Sequence, residues 1–262
     1  MFFRLSSLAL GLLLLAFVLG TTVVGHLVGR ALRSRSDSFR EPLAVLQGAL
    51  LGVVGLILAF GLALAVGRYE SRRAAVVAEA NAIGTTYLRA QTLAEPIRTR
   101  SLDRLASYTD TSIRLSNAIP DSTAARAAVA DGQGLQRELW RLAGEALAGA
   151  PTSSAPRLYV ETLNEMIDMQ TVRTSALNNR VPPAVLWLEV AAAAVALGLL
   201  AVYLAVLGRG VLTALLAAAL VSVLLLVIFD LDRPTRGLIT VPATALIDLR
   251  ASMDLPPAAS AP

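Results

Sequence analysis

The sequence predicts an all-α integral membrane protein: four transmembrane helices, with a cytoplasmic helical bundle inserted between spans two and three. Three observations lead there. Four segments of mostly apolar residues reach the roughly 20 residues needed to cross about 30 Å of hydrocarbon. Between the second and third, apolar residues such as Leu135, Leu139, Leu142 and Ala146 recur at three and four, the helical period. The whole chain is 55% hydrophobic with a mean hydropathy of +0.63, too apolar for an ordinary soluble domain.

Residues 1–66 hold spans one and two, at about 5–28 and 43–66. The first apolar run is longer than a signal-peptide core, and no clear Ala-x-Ala site precedes Arg30, so it is read as a retained span. Residues 184–230 form a transmembrane hairpin with spans at about 184–207 and 211–229, joined by a tight turn at Gly208-Arg209-Gly210. The arginine bias sets the orientation. Arg4, Arg68, Arg72, Arg73, Arg173, Arg180, Arg233, Arg236 and Arg250 lie on one side, against Arg30, Arg33, Arg35, Arg40 and Arg209 on the other. The richer side is expected to be cytoplasmic, which puts both termini and the large loop there. The short basic loop from Gly29 to Pro42 argues the opposite way.

The insert, residues 67–183, continues from span two and is punctuated for four helices. Glu95-Pro96 ends the first, Ile119-Pro120-Asp121 separates the second from the third, and Pro151 to Pro156 separates the third from the fourth. Proline and turn residues stop helices, and Asp121 is the expected N-cap of the third. Val181-Pro182-Pro183 then opens span three, proline being well placed at a helix start. Residues 231–262 read as an amphipathic segment, with Leu238, Ile239, Val241, Leu246 and Leu249 among Arg236, Thr240, Asp248 and Arg250, and a disordered tail.

No proline or glycine cluster separates span two from the insert's first helix, so one rod is expected from Leu43 to Leu93. At 100° per residue its cytoplasmic part has three faces. Tyr69, Val76, Ala80, Ile83 and Tyr87 form an apolar face. Val77, Asn81, Gly84, Thr85 and Leu88 form a small, polar one, with Glu70 in line. Arg72 and Glu79 share a third, and Arg73 adds a further basic group. Glu70, Arg72, Arg73, Glu79, Asn81, Gly84 and Thr85 are the candidate pore or helix-register residues. Asn81 is expected to be buried, fixing register between packed helices, or to offer its amide dipole to an anion. In the span itself, Gly48, Gly52, Gly55, Ala59 and Ala63 form a small-residue stripe. Such a stripe serves close packing on another helix of the chain, or lines a pore when repeated around a symmetry axis.

Asp230, Asp232 and Arg233 stand where span four leaves the bilayer. They read as an interface latch, with Arg72 or Arg73 as partner, or as a cation site. Glu189, inside span three, is expected to snorkel or pair with Arg180 or Arg68. His26 is expected to be a packing group.

Composition removes most catalysts. The chain has no cysteine and one histidine, and all 23 basic residues are arginine. Thiol chemistry, P-loops and histidine-rich metal sites are therefore unavailable. No enzyme activity and no cofactor are expected. A net charge of +4 spread along the chain is no nucleic-acid footprint.

Glu79-Ala-Asn-Ala-Ile-Gly84, followed by Thr86-Tyr-Leu-Arg89, resembles the signature of the bestrophin-like membrane family. So does Phe229-Asp-Leu-Asp-Arg-Pro234 with Arg236-Gly-Leu-Ile239, and more loosely Val181-Pro-Pro183 with Trp187. The resemblance implies an architecture related to bestrophins, which are pentameric anion channels with a cytoplasmic helical body. It implies a homo-oligomer in the lipid bilayer of a bacterial-type inner membrane, passing small anions. Ala59-Phe60-Gly61 stands where animal bestrophins carry a Pro-Phe-Phe neck. The alternative expectation is a non-conducting membrane-anchored sensor or scaffold.

Overall fold

Where the sequence offers no helix breaker, the helix does not break. The computed structural model describes residues 6–33, 40–120, 122–233, 235 and 237–257. Among them are eight helices: α1 (Ser7–Leu32), α2 (Arg40–Ala90), α3 (Ile97–Asn117), α4 (Thr123–Gly149), α5 (Ser154–Asn178), α6 (Pro183–Val206), α7 (Leu212–Leu231) and α8 (Thr244–Ser252). The protein is all-α, with no strand among the described residues. Among the described residues, four stretches are long and apolar enough to cross a membrane: Ser7–Leu32, Arg40–Ala90, Ser154–Val206, whose apolar part is α6, and Leu212–Leu231.

The chain folds into two units, residues 1–68 with 180–239 and residues 69–179 with 240–262. In the first unit α1 packs on α6 and α7, and α6 on α7. Glycine makes the closest approach. A Cβ on Gly25 would run into the Gly198 carbonyl, and one on Gly29 would meet Val202 and Ala205. The α6–α7 turn is closed by Gly208 at φ +74°, a left-handed conformation that only glycine adopts without cost. The Arg33 side chain lies over that glycine.

The second unit holds the C-terminal half of α2 with α3, α4, α5 and α8. Val76, Ile83, Leu93, Leu105, Leu139, Tyr159, Leu163 and Met166 form its core, and Leu246 and Met253 of the C-terminal segment are buried in it. The amphipathic segment thus ends as a helix of this unit, with Arg250 on Asp110 (2.9 Å) and the Tyr87 hydroxyl donating to the Met253 carbonyl (3.1 Å).

Three expectations are corrected. α2 stops at Ala90 rather than at Glu95-Pro96, because Thr92 and Leu93 turn back through i→i+3 bonds to Arg89 and Ala90 and bury Leu93. The N-cap of α4 is Ser122, whose hydroxyl accepts from Ala125 N; Asp121 lies outside the described residues, as do Pro234, Arg236 and the tail from 258. The small-residue stripe of α2 does not pack on a described helix of its own chain. Gly48, Gly52, Gly55, Ala59 and Ala63 are all exposed, and a Cβ on any of the three glycines would meet nothing within 4 Å.

Candidate functional site

α2 shows two opposite edges in the second unit, and its sequence explains both. Ala74, Ala75, Ala78, Ala80 and Ala82 keep the helix slim. On the inner edge sits Glu79, fully buried, with Arg173 of α5, which is 1% exposed. The Arg173 guanidinium bonds Glu79 Oε2 directly, and its second nitrogen donates to the Ser112 carbonyl (2.9 Å) and to Ser116 Oγ (2.5 Å). The other carboxylate oxygen, Glu79 Oε1, accepts from Ser112 Oγ (3.0 Å) and the Tyr108 hydroxyl (3.4 Å). Gln136 then donates to Tyr108 (3.3 Å) and to Gln170 Oε1 (2.7 Å). Gly132 leaves the room that Gln170 fills. Burial first, and then the Glu79 carboxylate, push the Tyr108 phenol well above its usual range; burial pushes Tyr159 up to about 12.

A buried ion pair is tolerated only when its remaining donors and acceptors are met. Here α3 meets most of them through Tyr108, Ser112 and Ser116, while Arg173 Nε is buried with no partner among the described residues. Two further inner-edge contacts hold α2 to α5. Arg72 is buried and donates to the carbonyls of Asn179 (2.9 Å) and Ala176 (3.3 Å). Thr86 Oγ1 shares its proton between the carbonyls of Ala82 (2.8 Å) and Thr162 (2.9 Å).

The outer edge is open. Glu70, Arg73, Val77, Asn81, Thr85 and Leu88 are exposed, and Gly84 is half-buried under Leu249. Asn81 is thus exposed in the protomer, and Glu79, two positions earlier, is the polar group in the core. Arg73 lies 3.8 Å from Glu70 on its own helix, and the two side chains are equally exposed.

In the first unit the two acids at the end of α7 have separate tasks. Asp230 is buried and accepts from Ser7 Oγ (2.8 Å) and Ile239 N (2.8 Å). It thus ties the start of α1 to the segment after α7, over a Gly237 too close to carry a side chain. Asp232 is buried and accepts from Val181 N (3.1 Å), fixing the entry to α6. Arg233, next in sequence, is buried as well. Among the described residues no group of three acids or histidines is arranged to hold a metal.

Sequence reasoning missed the neighbour of Glu189. This carboxyl is fully buried in α6 and lies against the backbone of α2 at Gly61, where a Cβ would collide with it. Neither oxygen has a hydrogen-bond partner among the described residues, so the expected bond to Arg180 or Arg68 is absent. The signal was present in Ala59-Phe60-Gly61: a glycine two positions from Ala59 and so on the opposite face from the exposed stripe, between Leu58 and Ala65, both buried.

No curated protein matches this chain. The fold is that of bacterial bestrophin homologues. A crystal structure of one from Klebsiella pneumoniae, carrying a single substitution, is 14% identical and superposes with a TM-score of 0.67 over 91% of this chain and 97% of that one. A second structure of a Klebsiella pneumoniae homologue gives 12% identity and a TM-score of 0.66 over 90% and 97%. A membrane protein with a glycine-to-alanine substitution gives 15% and 0.68 over 94% and 99%. The family model for the bestrophin-like domain matches residues 11–246; the chain belongs to the bestrophin-like family.

Proposed function

We propose that this protein is an oligomeric membrane channel for small anions, with the open edge of α2 facing the conduction path. The observation that carries the reading is that edge. Gly48, Gly52, Gly55, Ala59 and Ala63 are exposed although small residues in a span serve close approach, and no described helix of the protomer takes them. Seven residues advance a helix to within about 20° of the starting direction, so Ala63, Glu70, Val77 and Gly84 continue one line down α2, with Asn81 and Leu88 beside it. Copies of the chain around an axis would bring these lines together. Arg73, exposed near the end of the span, would raise the local anion concentration.

In this reading α1, the first part of α2, α6 and α7 span a bacterial-type inner membrane. The insert 67–183 is the cytoplasmic body, both termini are cytoplasmic, and 231–262 completes that side. The test is purified protein in planar bilayers under a chloride gradient, with oligomeric state measured by native mass spectrometry. Anion-selective current from a homo-oligomer supports the reading. A monomer, or a well-folded oligomer silent across voltage and pH, removes it.

A membrane-anchored sensor is the second reading, favoured by one feature. A cleft of about 330 Å³ opens between α3, α4 and α5, with Leu115 and Val129 beneath Arg126, Gln133, Thr174 and Asn178. That volume is at the small end of ligand sites. A silent oligomer whose melting temperature rises with a small anionic ligand would favour this reading over the first.

A further inference from the structure

Apolar packing alone gives α2 little reason to prefer one rotation about its axis. Ala75, Val76, Ala80, Ala82 and Ile83 are buried, yet Val77 and Leu88 are exposed, so the helix is apolar most of the way round. Its alanines raise only low ridges. A turn by one position would exchange Val76 for Val77 and Ala80 for Asn81. Hydrophobic contact is non-directional and resists such a turn weakly.

Three polar side chains are directional, and they are spaced for this purpose. Arg72, Glu79 and Thr86 follow one another at seven residues, each within about 20° of the last. All three are buried. Each bonds the α5 segment, in antiparallel order: Arg72 to the carbonyls of Ala176 and Asn179, Glu79 to Arg173, and Thr86 to the Thr162 carbonyl. Asn81 stands about 160° round the helix from Glu79 at 100° per residue.

We propose that this polar rail fixes the rotation of α2, with Glu79 as the positioning residue that holds Asn81 and Thr85 on the outer edge. The functional meaning rests on the reading that this edge faces the conduction path; the rail itself does not. It explains why Glu79 and Asn81 occur together in one short motif: one residue anchors the helix and the other is presented by it. Buried polar groups set register in other packed helices in the same way.

The chain's lack of cysteine makes the rotation measurable. Single cysteines are placed at the outer positions, Val77→Cys and Asn81→Cys, and at the inner ones, Ala80→Cys and Ile83→Cys, in full-length protein in liposomes. A water-soluble thiol reagent is expected to modify the outer pair at least about tenfold faster, because buried positions react only through local opening. In the Glu79→Leu/Arg173→Leu background the contrast should fall below about threefold while cooperative melting is retained, since apolar replacement of a buried ion pair need not destabilise. A folded double variant with the full contrast overturns the proposal, because the pair would then be merely structural. If that variant does not fold, Glu79→Gln/Thr86→Val is read the same way: loss of contrast supports the rail, and its persistence overturns it. Chloride current is recorded on the same preparations. A parent with full contrast and no current, whose contrast the rail variants abolish, keeps the rail and removes the channel. Current with contrast unchanged in the rail variants does the reverse.

Discussion

Glu79 and Asn81 are two residues apart on one helix, yet Glu79 is sealed in the bundle on Arg173 and Asn81 faces outward. Two residues are about 200° of helix, so a single short motif reaches both the core and the open edge. The consequences of changing the two residues should therefore separate.

Removing one partner of the sealed pair should cost stability. Arg173→Met strands the Glu79 carboxylate out of water, and breaking a buried pair this way costs about 3–5 kcal/mol. Arg173→Lys should recover part of this but not all, because a single ammonium cannot reach Glu79, the Ser112 carbonyl and Ser116 together as the guanidinium fork does. Asn81→Ala should stay within about 0.5 kcal/mol of the parent and should show its effect in conductance instead. Chemical unfolding in detergent, with bilayer recordings on the same variants, measures both.

Two sets of small residues in the spans should respond oppositely to added methyl groups. Gly25→Ala drives a Cβ into the Gly198 backbone, where no side chain can yield, so α1 and α6 must separate. Overpacking of this kind costs about 1–3 kcal/mol. Gly48→Ala and Gly52→Ala meet nothing within 4 Å and should leave protomer melting unchanged. If α2 edges face one another in the oligomer, the same two substitutions should alter its size or conductance. Thermal melts and native mass spectrometry separate these effects.

The helical pattern is legible because it is local. Period, proline punctuation and the missing breaker between span two and the insert are written in neighbouring residues, and α2, α6 and α7 follow them closely. The site is less legible because its parts are distant in sequence. Glu79 meets Arg173 across 94 positions and Ser112 across 33, and no spacing rule reports such pairs. Periodicity sorts the residues of α2 into faces. It does not decide which polar face turns inward, since the Arg72–Glu79 face and the Asn81–Thr85 face are both polar. Partners decide it: α5 offers Arg173 and backbone carbonyls to the first face, while Asn81 and Thr85 stay exposed. Likewise Gly48 and Gly52 of α2 and Gly25 and Gly29 of α1 share a four-residue spacing, and only the fold shows that a neighbour fills the second pair and not the first.

Alkaline stability should carry the mark of the two buried phenols. Tyr159 is pushed up to about 12 by burial, and Tyr108 is raised by burial and the Glu79 charge, whereas a phenol in the unfolded chain ionises near a pH of about 10. The folded chain thus holds these protons more tightly than the unfolded one. Their contribution is complete below a pH of about 10 and is lost as pH rises through the folded values. Ultraviolet absorbance of the phenolate should show both groups titrating together with loss of helix rather than ahead of it, and Tyr159→Phe should remove part of that late signal.

Gly61 and Glu189 should behave as a coupled pair. Gly61→Ala puts a methyl group where the Glu189 carboxyl lies, and should lower stability by about 1–3 kcal/mol through overpacking. Glu189→Ala empties the same space and should also destabilise, by leaving a cavity. Together the two changes are expected to be less harmful than their sum, because the methyl of one occupies room vacated by the other. Glu189→Gln keeps the shape and should not relieve Gly61→Ala. A double-mutant cycle from unfolding in detergent measures the coupling, with a value of at least about 0.5 kcal/mol expected for residues in direct contact. Strict additivity would mean that α2 and α6 do not meet at this point.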